Sequence, residues 1–111
     1  MKYMLILWDS VTYWDEKGEE EQAADVEEHI GFSRWLREQG MFVAGEGLLG
    51  PATATTVRKQ GGETVISDGP YLDLNETLGG FYVIDVPNLE TALEVAGRCP
   101  VSALELRPVW E

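Results

Sequence analysis

Apolar positions along this chain change their spacing several times, and each change marks an element. Lys2 to Trp8 is a nearly unbroken apolar run of strand length, which reads as a buried strand. Asp9 to Gly18 is a polar loop carrying Trp14. From Glu19 to Gln39 the period becomes helical: acidic residues crowd the first turns, where the helix dipole favours negative charge. Arg34 and Arg37 lie near the end, and Gly40 terminates the helix. Met41 to Ala44 reads as a strand, followed by the glycine-rich stretch Gly45 to Gly50 and Pro51. Thr53 to Lys59 alternates and is β-branched, Gly61-Gly62 signals a hairpin turn, and Glu63 to Ile66 returns as the partner strand. Gly80 to Val86 is another apolar strand. Asn88 caps a second helix with Leu89, Ala92, Leu93 and Ala96 on one face; Pro100 ends it, and Ala103 to Val109 is the last strand.

Strand, helix, strand, hairpin, strand, helix, strand is the order of an α+β ferredoxin-like sandwich, β-α-β-β-β-β-α-β, with both helices on one sheet face. Neither repeat nor linker interrupts it, so residues 1–111 are expected to form one domain. The other sheet face needs cover, and a two-fold homodimer is the simplest solution. Four tryptophans suit either an aromatic contact surface or the core.

Charge narrows the partners. Twenty acidic against eight basic residues give a net charge of −12. Nucleic acid and anionic membrane surfaces attract the opposite sign, so neither is expected as a partner. Cys99 is the single cysteine, which excludes an internal disulfide and fits a reducing compartment. The apolar run Met4 to Trp8 is too short for a signal core or a membrane span, and the expected location is the cytoplasm.

Few residues carry chemistry. His29 is the only histidine, and at about 100° per residue it projects close to Leu36, between Val26 and Phe32. It reads either as a neutral imidazole acting as general acid or base, or as a core histidine bonded to a backbone carbonyl. Cys99, at a helix end, reads as a small buried hydrophobe or as the nucleophile of a Cys–His pair. Asp68 opens a turn in which Gly69 takes positive φ and Pro70 fixes the chain. That turn is structural, or it walls a pocket with Tyr71, Asp68 accepting from a ligand or from Arg58. Gly45 to Gly50 lacks the context of a phosphate loop and reads as a bulged strand end. No residues are spaced for a metal site, and no cofactor is expected.

Asp68-Gly69-Pro70-Tyr71 and Leu78-Gly79-Gly80-Phe81 resemble the DGPF (DGPFAETKE) branch of the YCII-related family. Ala44 to Leu48, Pro51 to Arg58, Arg98-Cys99-Pro100 and Glu105 to Val109 extend the likeness over nearly the whole chain. The resemblance implies the dimeric α/β-barrel superfamily, in which two ferredoxin-like protomers pair sheet to sheet. It also implies a catalytic His–Asp pair, whose His corresponds to His29 and whose Asp position holds Cys99 here. The loop motif continues as Leu72, Asp73, Leu74, Asn75 and Glu76, without the family's lysine. The resemblance further implies an association with alternative sigma factors, as members of the branch have. The functional expectation is a homodimeric small-ligand-binding or regulatory module with a sigma-factor link; the alternatives are a small-molecule enzyme using His29, with the Asp68 loop as one wall of its pocket, or a dimer with no retained activity.

Overall fold

The structure, a computed structural model, describes residues 1–111. Its elements are β1 (Lys2–Ser10), α1 (Glu19–Glu38), β2 (Phe42–Gly47), β3 (Thr55–Gln60), β4 (Glu63–Asp68), β5 (Glu76–Asp85), α2 (Leu89–Arg98) and β6 (Ala103–Pro108), with a short 3₁₀ turn at Pro51–Thr53. Strands β2, β5, β1 and β6, in that order, form an antiparallel sheet. The arrangement is α+β and compatible with a ferredoxin-like fold. Neither helix is long and apolar enough to cross a membrane.

Local chemistry explains the boundaries. Three glutamates occupy the first turn of α1, and Gly40, at φ +70°, follows its end. The Asn88 side chain accepts from the Thr91 amide at 2.9 Å and starts α2. Gly61 and Gly62 both take positive φ and close the β3–β4 hairpin.

Alternation along β1 sends Tyr3, Leu5 and Leu7 to one face of the sheet. They pack with Tyr82 and Ile84 of β5, with Phe32 and Leu36 of α1 and with Ala92 and Val95 of α2. One expectation needs correction here. Leu89 and Leu93 do not share the buried face of α2: both are exposed, and the buried residues are Ala92, Val95 and Cys99. At about 100° per residue Leu93 projects roughly 120° from the centre of that stripe.

The opposite sheet face carries Met4, Ile6 and Trp8 from β1 and Phe81 and Val83 from β5, half-buried and covered by no helix. The β3–β4 hairpin stays outside this sheet as a two-stranded ribbon. It is tethered where the Thr56 hydroxyl donates to the Gly69 carbonyl at 2.7 Å and the Gly69 amide donates to Ala54 at 2.8 Å. Its facing pair Val57 and Ile66 is 53% and 68% exposed. The result is a slab of 46 × 40 × 19 Å. Its radius of gyration is 16.0 Å, against about 13 Å for a compact domain of this length. Its accessible surface is 7846 Å², against about 6,100 Å² expected of a monomer of this mass.

Two glycines predict opposite responses. A Cβ on Gly80 would stand 2.7 Å from the Glu46 carbonyl oxygen and 3.2 Å from Gly47 Cα, where β2 and β5 approach. Gly80→Ala is therefore expected to destabilise by about 1–3 kcal/mol in urea denaturation. Gly97 lies in α2 with nothing within 4 Å of a built Cβ, and Gly97→Ala should stabilise by roughly 0.5–1 kcal/mol. Equal and neutral effects at both positions would contradict the strand packing.

Candidate functional site

A cleft of about 320 Å³ opens where the middle of α1 passes over the ends of β1, β2 and β5. His29 lines it, half-buried, and its Nδ1 lies 2.7 Å from the Tyr82 hydroxyl. Tyr82 points up from β5 beneath the helix and meets Phe32 edge-on at 5.1 Å between ring centroids. The tyrosine has room because β2 is glycine at this point: a Cβ on Gly45 would stand 2.7 Å from the Tyr82 ring. Gly79 does the same for Asp9, since a side chain there would fall on the Asp9 carboxylate. The β1–β5 register shifts beside it, between Leu7 and Trp8. The glycine-rich stretch of β2 and the Gly79-Gly80 pair thus form the floor that makes the cleft possible.

The loop after β1 supplies the opposite wall. Tyr13 and Trp14 pack edge to face at 5.6 Å. The Tyr13 hydroxyl donates to Asp25 Oδ2 at 2.8 Å, and Lys17 Nζ donates to the Tyr13 oxygen at 2.9 Å and pairs with Asp25. Gln22 Nε2 donates to the Trp14 carbonyl at 2.8 Å. These bonds hold the loop against α1 while Asp25 and His29, four residues apart, share the helix face over the cleft.

The site has divergent proton affinities. Burial pushes His29 below the usual imidazole range, although Asp9, Asp25, Glu28 and the Pro100 backbone all favour its charged form. Burial pushes Asp9 above the usual carboxylate range, with the His29 and Lys17 charges pulling it back. Asp25 is held low by its bonds from Lys17 and Tyr13. Tyr82 is pushed up to about 12, first by burial and then by Cys99. At neutral pH the imidazole is therefore uncharged and the phenol keeps its proton. No group of three or more His, Cys, Asp and Glu side chains is placed to hold a metal ion.

Of the candidate site residues His29, Arg58, Asp68, Gly69, Pro70, Tyr71 and Cys99, the cleft contains His29 alone. Cys99 is a buried core residue that does not line it, and burial pushes its thiol up to about 12. This protonated thiol forms no Cys–His nucleophile pair. The loop Asp68, Gly69, Pro70 and Tyr71 does not wall the cleft either: it ends the outlying hairpin, where Gly69 takes φ +98° and the Arg58 guanidinium sits 5.0 Å over the Tyr71 ring. Asp68 is the last residue of β4, and Arg58 packs on the Tyr71 ring. Tyr82, Asp9, Tyr13, Lys17 and Asp25 were not legible as a group. The i, i+4 spacing of Asp25 and His29 and the acid ending the β1 run were the available signals.

The YCII-related domain family matches residues 1–111. An uncharacterized protein of Rhizobium meliloti (strain 1021) is similar at 29% identity over 96 residues, covering 86% of this chain and 77% of that protein. The chain belongs to the YCII-related domain family.

A sole histidine gives one imidazole signal to titrate by NMR. Its midpoint is expected below 6.5, and Asp9→Asn, which removes a favourable negative charge, should lower it further. Because the folded midpoint lies below the unfolded one, His29 adds its full stability above pH 6.5 and loses it as pH falls toward the folded value. A midpoint at or above 6.5, or a rise in Asp9→Asn, would overturn this electrostatic account.

Proposed function

We propose that this YCII-related protein binds a small organic molecule in the cleft and moves a proton on it, with His29 as the base. The observation that carries the reading is the 2.7 Å contact between His29 Nδ1 and the Tyr82 hydroxyl in a cleft open to solvent. In the tautomer whose Nδ1–H donates to the Tyr82 oxygen, the ring is oriented and Nε2 keeps its lone pair, and the Pro100 backbone favours the ring once it is protonated. A neutral imidazole near its working pH is well suited to accept a proton. The substrate proton goes to Nε2, its bonding electrons remain on the substrate, and the resulting imidazolium is stabilised by Asp9 and Asp25. Tyr82 retains its own proton as a donor. Asp9 and Asp25 thus take the place of the absent acid at Cys99.

The same proposal includes a homodimer of the dimeric α/β-barrel type in the cytoplasm. The bare sheet face supports it, as does a surface surplus of about 1,700 Å² over the monomer expectation. A stable interface needs about 800 Å² from each partner. A second reading, a regulatory module of the DGPF branch that meets a sigma factor, is favoured by the Asp68–Tyr71 loop. That loop lies outside the cleft, and Tyr71, Leu72 and Leu74 beyond its turn are exposed. Tyr71→Ala would weaken such a partner and leave the imidazole untouched.

Diethyl pyrocarbonate tests the base directly, because it acylates neutral, accessible imidazole nitrogen. In the folded protein at about pH 7, His29 is expected to react. The rate should fall with pH through the midpoint measured by NMR, and metabolites that fill the cleft should protect it. A histidine that reacts only after unfolding would remove it from the chemistry.

A further inference from the structure

The His29 cleft continues into a second compartment of about 430 Å³, and Asp9, Trp14 and Leu48 line both. Both compartments set a few polar groups against apolar walls. The inner one holds the polar groups already described. Beyond the shared residues the outer one has Leu49, Pro51 and Leu78 as apolar wall and Asp15, Gln22 and Thr77 as polar groups. Leu49 is 82% exposed, and Leu48 and Leu78 are also open to solvent. Neither compartment has a lysine or arginine on its wall.

Asp9 stands at the junction. Asp25 has Lys17 and Tyr13 as partners, but the Asp9 side chain is influenced only by burial and by charges at a distance, with no hydrogen bond of its own. A half-buried carboxylate without a partner is a poor neighbour for an anion and a good one for a cation. Apolar walls beside it favour hydrocarbon, and pockets that orient a ligand by one polar group against apolar walls are the usual pattern.

We infer that the two compartments form one site for a cationic amphiphile, a short unbranched primary amine whose ammonium pairs with Asp9 and whose chain lies along Trp14, Leu48 and Leu49. This inference rests on the reading of the His29 cleft as a ligand site and names the class of ligand. The ammonium pairs with the carboxylate, and the chain selects for length.

The test is calorimetric titration at about pH 7 of butylamine, hexylamine and octylamine, with 1-hexanol and hexanoate as controls. Affinity is expected to rise up to about fourfold per methylene buried, and hexylamine should bind at least about tenfold more tightly than hexanoate. Asp9→Asn should erase the preference for amine over alcohol and keep the length dependence. Leu48→Asn, at an exposed position, should flatten the length dependence and keep the preference for amine. Hexanoate binding as well as hexylamine, amine affinity independent of length, or no binding of any probe would overturn the inference. Failure is separable from that of the base: reactive His29 without amine binding sinks only this inference, and amine binding with a sealed His29 sinks only the proton transfer.

Discussion

Helices cover one face of the four-stranded sheet and leave the other bare. That one-sided cover governs the packing, the cleft and the surface of this chain. On the covered face Leu5, Leu36, Ile84 and Val95 are almost wholly removed from water, at the centre of an eleven-residue apolar core. On the bare face Met4, Ile6, Trp8, Phe81 and Val83 are shielded only by neighbours within the sheet. The outlying hairpin adds to the deficit, since a two-stranded ribbon is marginal in water by itself and its Val57–Ile66 pair touches little. A slab 19 Å thick with a surplus of exposed surface is what such a layer looks like without a second layer against it.

The cleft arises from the same arrangement. Helix α1 is held on the sheet by Phe32 and Leu36 near its end, while its earlier turns rise over the strand ends and face His29 and Asp25 toward a floor of glycines. Gly45, Gly79 and Gly80 keep side chains off that floor, so Tyr82 and Asp9 fill the space instead. The polar groups are therefore placed by backbone that approaches too closely for any Cβ. That coupling makes the site sensitive to small changes in β2 and β5 far from any reactive atom.

Much of the architecture could be read from the chain because it is local. The apolar run of β1, the acid-rich start of α1, Asn88 and the Gly61-Gly62 turn each specify their element through neighbours in sequence. The site was only partly legible because it is non-local: His29 and Tyr82 are separated by 53 residues, and Asp9 reaches the cleft through a register shift no periodicity announces. Turn chemistry and a lone thiol drew the Asp68 loop and Cys99 into the candidate site, yet within one chain the loop terminates the hairpin and the thiol is core. The buried stripe of α2 differs from expectation for a simpler reason. Leu89 and Leu93 look like anchors by hydrophobicity, but the smaller Ala92 and Val95 are what meet the sheet, because small side chains let the helix lie close against it.

Covering the bare face with a second copy is the claim on which the proposed assembly stands. Sedimentation equilibrium of the purified protein at micromolar concentration measures it most directly. The account predicts a mass twice that of the chain, with Trp8→Glu, on the bare face, shifting the equilibrium toward single chains. A homogeneous single chain at that concentration would contradict it.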